Sequence, residues 1–86
     1  MFWTYILQSL KDKKTYIGHT KDVRSRLKEH NSGNVMATKH RRPLKVLFTE
    51  CYDNLQEAKK RELYWKSGAG RRKLKQYFQK GFPPID

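Results

Sequence analysis

The chain has 86 residues, of which 36% are hydrophobic and 13% aromatic, and 20 Lys and Arg against eight Asp and Glu give it a formal net charge of +12. This length allows one small domain, and the aromatic residues are numerous enough to anchor a compact core, which excludes a disordered chain. A single cysteine excludes disulfide bonds within the chain, and no apolar run approaches the ~20 residues of a membrane span. We therefore expect a soluble, cytoplasmic protein.

Positive charge is spread along the whole chain, which predicts a basic folded surface rather than a basic tail. Such a surface attracts polyanions, and nucleic acid is the leading candidate because each phosphate that is neutralised releases counterions. Membrane surfaces and acidic proteins are the alternatives that composition leaves open.

The first 20 residues predict an antiparallel β-hairpin. Phe2–Gln8 is a continuous apolar and β-rich run, typical of a strand that is covered on both faces, and Thr15–His19 is a second β-rich run after a short polar turn. In this hairpin Tyr5 sits opposite Gly18, and Tyr16 lies two residues along on the same face. The two phenols are therefore expected to share one side of the sheet.

The rest of the chain predicts three helices and one strand. In order, these are a helix capped by Thr20 or Asp22 and ending near Asn31, a loop over residues 32–43, a strand from Leu44 to Tyr52, a helix opened by Asp53 or Asn54 and ending near Ser67, and a helix from Arg71 to Lys80. The run Gly68-Ala69-Gly70 is expected to break the chain between the last two helices. The order β-β-α-β-α-α predicts an α+β fold, a small sheet with helices packed on it.

Glu62 falls inside the apolar stripe of its helix, which Leu55, Ala58 and Trp65 define. A carboxylate there costs desolvation unless a cation or a metal ion meets it. The alternative is a Glu at the edge of the stripe that is paired with Lys66, four residues on.

Arg26 and His30 are four residues apart and flank the apolar stripe of the first helix, where neither is expected to be buried or to point fully outwards. Singly, they also fit a solvated Arg and a helix-end His favoured by the helix dipole. Together with the two tyrosines and Glu62 they form a set suited to cleaving phosphodiesters. That reaction needs a base for water, a cation over the phosphoryl oxygens and often a divalent metal ion, for which one carboxylate can suffice.

Other polar and sulfur residues carry weaker signals. Cys51 is expected to be a small hydrophobe buried in the third strand. His19 and His40 are each either solvated or placed where a phosphate docks. The cations of the loop are interpreted as a patch that contacts the nucleic-acid backbone; they are Lys39, Arg41 and Arg42. The cations at the start of the last helix fit either such a contact or a solvated face; they are Arg71, Arg72, Lys73 and Lys75.

Taken together, these residues resemble the GIY-YIG nuclease superfamily, and in particular its small stand-alone members that are similar to the nuclease domain of an excision-repair endonuclease. The resemblance covers about residues 2–80. The GIY element stands here as Trp3-Thr4-Tyr5 and the YIG element as Tyr16-Ile17-Gly18; they are followed by Thr20, Asp22, Arg26, Leu27, His30 and Asn31, by Glu62 in Lys-Arg-Glu, and by the Lys-Ser-Gly and Arg-Arg of residues 66–72.

The resemblance implies a single nuclease domain over residues 1–86, a small three-stranded antiparallel sheet flanked by three helices, and metal-dependent hydrolysis of DNA in repair or recombination. It implies that Glu62 binds one Mg²⁺ or Mn²⁺ ion, that Arg26 stabilises the phosphoryl charge, that Tyr5 or Tyr16 activates or positions water, and that His30 assists proton transfer or contacts phosphate. We expect DNA contacts from Gly18, His19, Lys39, His40, Arg41, Arg42, Lys66, Arg71 and Arg72, and no membrane partner.

Two departures from the family pattern affect substrate binding. The first is His19, which stands where many members have Lys. The second concerns larger relatives, which carry an Asn beyond the Glu and a separate DNA-binding domain. This chain has no Asn beyond Asn54 and no second domain, so substrate targeting is expected to be poor or supplied by a partner protein. A non-catalytic nucleic-acid-binding module on the same fold is the alternative function. A basic interaction protein for an acidic partner is a third.

Overall fold

A three-stranded antiparallel sheet organises residues 1–84, which are the residues that the computed structural model describes. The central strand is β1 (Phe2–Ser9), with β2 (Thr15–Thr20) on one side and β3 (Leu44–Tyr52) on the other. A 3₁₀ turn over Lys39–Arg41 precedes β3. The α+β class, with three antiparallel strands and three helices, is confirmed.

The hairpin has the predicted register. Tyr5 pairs with Gly18 and Leu7 with Tyr16, whereas Ile6 pairs with Ile17 on the opposite face. Tyr5, Ile6 and Leu7 are all buried because helices cover both faces of β1. The two phenols lie on the same face, as the alternation of the strands requires.

Three helices cover the sheet: α1 (Val23–Ser32), α2 (Leu55–Lys66) and α3 (Gly68–Lys80). Asp22 caps α1 and Asn54 caps α2, each by accepting a hydrogen bond from a backbone N–H three residues on. Helices α1 and α2 are therefore each capped by one of the two residues that the sequence offered. Within residues 1–84, no helix is both long and apolar enough to cross a bilayer.

The expected break at Gly68-Ala69-Gly70 is wrong, because these residues form the first turn of α3. Ser67 caps this helix, and its hydroxyl accepts a hydrogen bond from the Gly70 N–H. A Cβ on Gly70 would collide with the carbonyl oxygen of Tyr64 and lie 2.5 Å from the Cα of Trp65. The glycine therefore permits close packing of α3 against the end of α2.

The core consists of one hydrophobic cluster on each face of the sheet. Trp65 of α2 is fully buried and packs edge-on against Phe48 of β3, with ring centroids 5.7 Å apart. This cluster also contains Ile6 and Leu74; the cluster on the other face contains Tyr5, Leu7 and Leu44, with Tyr16, Leu27 and Val46 against it. Helix α1 thus covers the face that carries the phenols, and α2 and α3 cover the other.

Cys51 is exposed, so the expectation that it is buried in the third strand is wrong. It lies one residue from the end of β3, opposite Trp3 of β1. The apolar character of the strand predicted burial, but the helices do not extend over the side chain at this position.

Candidate active site

An open pocket of about 410 Å³ lies at the β2 edge of the sheet, where α1 and α2 approach each other. Its lining residues come from β1, β2, α1 and α2 and are mostly polar: Tyr5, Tyr16, Gly18, His19, Thr20, Arg26, Glu29 and Glu62. Four of the five predicted catalytic residues therefore line one pocket. The fifth, His30, lies directly behind Tyr5.

Gly18 leaves room for the Tyr5 phenol. A Cβ built on Gly18 would lie 2.6 Å from the Tyr5 hydroxyl oxygen and 2.8 Å from its Cζ. The Tyr5 side chain therefore fills the space next to this glycine. A DNA contact from Gly18 stays a prediction.

His30 is fully buried, so its expected place at a half-exposed helix edge is wrong. Its Nε2 is 3.0 Å from the Tyr5 hydroxyl oxygen, and its Nδ1 is 2.7 Å from the Thr38 hydroxyl oxygen. The loop after α1 places Thr38 against the imidazole, and Thr38 is buried too. Sequence spacing on α1 alone could not reveal this loop.

Burial, and then the nearby charge of Arg26, lower the pKa of His30 below its usual value, so the imidazole is neutral at pH 7. A neutral imidazole has one donor and one acceptor nitrogen. The Thr38 hydroxyl also reaches the Val35 carbonyl oxygen at 3.5 Å, which can only accept. Thr38 is thus able to accept from Nδ1–H, which leaves Nε2 to accept from the Tyr5 hydroxyl.

Tyr16 packs next to this hydrogen-bonded pair. Its ring meets the His30 ring edge-on at a centroid distance of 4.9 Å, and the two tyrosine rings are 6.4 Å apart. Burial raises the pKa of Tyr5 above its usual value, while the interaction with Arg26 opposes the rise. Tyr5 is therefore a protonated phenol at neutral pH.

Arg26 supplies a permanent positive charge at the pocket. Its interaction with the Tyr5 phenol raises the pKa of the guanidinium, and burial opposes this rise. One guanidinium nitrogen donates to Glu29 at 3.1 Å, and a third of the Arg26 side chain remains exposed. The exposed part is available to a phosphate in the pocket.

Glu62 enters the pocket from α2, held by two cationic or donor groups. His19 Nδ1 is 2.6 Å from Glu62 Oε1, and Lys66 Nζ is 2.6 Å from Oε2. Burial raises the pKa of Glu62, but the hydrogen bonds from Lys66 and His19 outweigh it and leave the pKa below its usual value. The carboxylate is therefore ionised, and the Lys66 pair that the spacing allowed is present.

The Glu62 carboxylate fits a hard divalent cation that keeps most of its ligands as water and phosphate oxygen. Such an ion needs only one or two protein carboxylates. Each carboxylate oxygen has two lone pairs, so Oε1 and Oε2 retain acceptor capacity beside His19 and Lys66. Among residues 1–84, no group of three or more His, Cys, Asp or Glu side chains is placed to hold a metal ion. A single ionised carboxylate of this kind is a ligand for a hard, oxygen-preferring divalent cation.

Comparison with known proteins agrees with this geometry. The family model described as the GIY-YIG catalytic domain matches residues 1–80. The chain belongs to the GIY-YIG family. Domains of this family are typically nucleases that act on DNA and generally use a divalent metal ion.

Small proteins of similar length match most of this GIY-YIG chain. A UPF0213 protein of Staphylococcus saprophyticus is 38% identical over 85% of this chain and 89% of its own, and one of Syntrophus aciditrophicus is 42% identical over 84% of each. The solution NMR structure of a UPF0213 protein from Bacillus halodurans is 34% identical, with a TM-score of 0.55 over 96% of this chain and 89% of that one. These names state no activity.

The predicted DNA-contact residues are dispersed around this GIY-YIG domain. His19 lines the pocket, and Lys66 and Arg71 line a second groove beside β2. Lys39, His40, Arg42 and Arg72 are exposed. Arg41 holds the loop on the hairpin: it donates to the Thr15 carbonyl oxygen, and its Nε lies 3.3 Å from an Asp12 carboxylate oxygen. All of these contacts stay predictions.

Sequence reasoning missed two residues of the site. Thr38 orients the imidazole of His30, but it lies eight residues away in an irregular loop and no pattern marks it. Glu29 lines the pocket and pairs with Arg26. The spacing of three residues on a helix is a signal that could have found this pair.

Proposed function

We propose that the protein is a metal-dependent DNA endonuclease that hydrolyses phosphodiester bonds in the pocket at the β2 edge. The observation that carries the proposal is the convergence of a permanent cation, two phenols and an ionised carboxylate on one open pocket. These groups come from four separate elements, and together they supply what phosphodiester hydrolysis requires. A role in DNA repair or recombination, and a cytoplasmic location, are further parts of the proposal that rest on the resemblance and the composition.

Positive charge would bring the substrate to the pocket. The net charge of +12 gives the chain a field that attracts DNA before any specific contact forms. Arg26 lies in the pocket wall, and its forked guanidinium is suited to two phosphoryl oxygens at once. We assign it to orient the scissile phosphate and to stabilise the charge that develops on it.

Tyr5 is the better candidate for the residue that handles the proton of the attacking water. Its phenol is protonated, so it can accept a proton only if it gives up its own. His30 Nε2, at 3.0 Å, is a neutral acceptor for that proton. In the proposed step the water oxygen attacks phosphorus, the water proton passes to the Tyr5 oxygen, and the Tyr5 proton passes to His30 Nε2. The P–O bond to the leaving nucleoside oxygen breaks as the new bond forms, and the leaving oxygen takes a proton from solvent.

Glu62 would hold a divalent cation, which supplies positive charge against the phosphoryl and leaving oxygens when it is bound. His19 and Lys66 keep the carboxylate ionised and fix its orientation, because each donates to a different carboxylate oxygen. In this chain His19 thus contacts the carboxylate directly, from the position where many relatives have Lys.

A nucleic-acid-binding module without catalysis is the second candidate. One observation favours it: Glu62 already forms two hydrogen bonds at 2.6 Å, with Lys66 and His19, so the carboxylate also makes sense as a structural ion pair. On this reading, a neutral substitution of Glu62 changes stability but no reaction.

The test is cleavage of end-labelled branched, flapped, single-stranded and plain duplex DNA with Mg²⁺ or Mn²⁺, and with EDTA as the blank. We expect metal-dependent cleavage of at least one substrate. Glu62→Gln should lose more than about 100-fold in rate, since it removes the metal ligand, and Tyr5→Phe should lose about 10²- to 10⁴-fold, as for a group that transfers protons.

The matched control is Glu57→Gln, which removes one carboxylate from the exposed first turn of the same helix, away from the pocket. It should cleave like the wild type. The nuclease proposal fails if no substrate is cut in a metal-dependent way, or if Glu62→Gln cuts as fast as Glu57→Gln. DNA binding without cleavage in every variant would favour the binding module.

A further inference from the structure

A second groove, of about 560 Å³, lies on the outer side of β2 between this edge strand and α3. Its floor is formed by Trp65 and Leu74, which are buried, and one wall is the β2 segment 15–17. The volume lies within the ~300–1,000 Å³ that is typical of ligand pockets. Within residues 1–84 no further strand pairs with β2 on this side.

The rim of this groove is positively charged. Lys66, Arg71 and Lys75 line it, and none of its nine lining residues is acidic. The cations come from two helices, α2 and α3, and face the same groove. A ligand of negative charge is therefore favoured over a cationic or neutral one.

The groove also carries an exposed aromatic ring. Phe78 lines it and is 47% exposed, although it is a large apolar side chain. The Phe82 ring packs against it at a centroid distance of 5.0 Å and an angle of 87°, which limits its freedom to turn. An oriented aromatic ring beside cations is the arrangement on which nucleic-acid bases stack while the backbone follows the charges.

The groove and the candidate active site are neighbours with shared walls. Tyr16 lines both, and Lys66 lines the groove while it donates to Glu62 in the pocket. A DNA strand whose phosphate lies in the pocket can therefore continue into the groove without leaving the protein surface.

We propose that this groove binds unpaired nucleotides of the strand that is cleaved, so that the substrate is DNA with a single-stranded segment next to the scissile phosphate. The proposal rests on the nuclease function proposed above and narrows its substrate class. A paired duplex buries the faces of its bases by stacking and presents mainly phosphates, so it has no use for Phe78 and an apolar floor. An unpaired strand offers both phosphates and exposed base faces.

The experiment measures binding in EDTA, so that its outcome does not depend on cleavage. A fluorescein-labelled oligothymidine of about 12 nucleotides and a blunt duplex of equal length are titrated with the protein and followed by fluorescence anisotropy. Phe78→Leu keeps an apolar side chain and removes the aromatic face, whereas Phe78→Trp keeps that face. We expect Phe78→Leu to weaken single-strand binding roughly 5- to 150-fold while Phe78→Trp retains it, with duplex binding nearly unchanged in both.

Charge is tested with two double variants that lower the formal net charge equally, from +12 to +10. Arg71→Ala/Lys75→Ala removes two groove cations, and Lys59→Ala/Lys60→Ala removes two exposed cations of α2 that do not line the groove. The groove variant should reduce the salt dependence of single-strand binding by up to about 1.4 in the log–log slope, at about 0.7 per phosphate. The control variant should reduce it less.

The groove proposal is overturned if Phe78→Leu binds the single strand like the wild type, or if both double variants behave alike. Either outcome is expected if the β2 edge instead binds a peptide as an added strand, because DNA binding would then not depend on the groove residues. Cleavage that depends on Glu62 while groove variants bind normally leaves the nuclease proposal intact and rejects the groove. Groove-dependent binding without any cleavage rejects the nuclease proposal and leaves single-strand binding in the groove intact.

Discussion

Gly18→Ala probes the contact that holds Tyr5 in place. The added Cβ would lie 2.6 Å from the Tyr5 hydroxyl oxygen, 2.8 Å from Cζ and 3.2 Å from Cε1. The phenol would have to withdraw by about 0.8 Å to reach 3.4 Å, the short end of ordinary contact. It has little room to do so, because Tyr5 is only 2% exposed and its hydroxyl is hydrogen-bonded to His30.

The expected cost combines two effects. Overpacking a well-packed core costs about 1–3 kcal/mol, and weakening the buried hydrogen bond to His30 adds about 0.5–1.5 kcal/mol. We therefore expect Gly18→Ala to lower the free energy of unfolding by about 2–4 kcal/mol. For a chain of this length the total is about 4–13 kcal/mol, so the loss is large.

Urea denaturation followed by tryptophan fluorescence, to which the buried Trp65 contributes, measures this free energy. Tyr5→Phe provides the matched background, since it removes the hydroxyl oxygen that is nearest to the new Cβ. Gly18→Ala should cost about 1 kcal/mol less in that background, as a coupling between residues in contact. A loss under about 0.5 kcal/mol in the wild type, or strictly additive losses, would refute the close contact.

Two further predictions concern stability. Gly70→Ala should be strongly destabilising, because its Cβ would collide with the backbone of Tyr64. Gly68→Ala should be neutral or slightly stabilising, because its Cβ meets only the end of Arg72 at 3.5 Å. Thermal melts compare the two variants, and equal melting temperatures would contradict the packing of α3 on α2. The pKa of His30 is lower in the folded protein than its ordinary value of 6.5, so as the pH falls the unfolded chain takes up a proton first. The contribution of His30 to the free energy of unfolding should therefore be fully present above pH 6.5. It should decrease as the pH drops through 6.5 towards the folded pKa. His30→Gln should flatten this dependence in urea titrations between pH 8 and pH 5, and an unchanged slope would exclude His30 as its source.

Local patterns were sufficient to predict the framework of the fold. The hairpin register followed from strand alternation and a short turn, which is why the pairing of Tyr5 with Gly18 could be predicted. Asp22 and Asn54 begin their helices because a side-chain cap acts over three residues. These are short-range effects, and their signals lie within a few neighbouring positions.

The candidate site was predictable as a set of residues but not as a geometry. Glu62 stood out because a carboxylate in an apolar stripe needs a partner, and Lys66 lay at helical spacing from it. The second partner, His19, comes from β2, 43 residues away in the chain. Only the packing of α2 against the sheet brings it to 2.6 Å, and no local pattern encodes that distance.

By itself, the sequence determined the order of the elements, the shared face of the two phenols and the basic surface, since these depend on periodicity and composition. The tertiary structure alone decided that His30 is buried, because the loop that carries Thr38 folds over it. It also explains the positions of two glycines. Gly18 makes room for the Tyr5 ring and Gly70 for the backbone of α2, and a close approach between distant segments becomes visible only once those segments have packed.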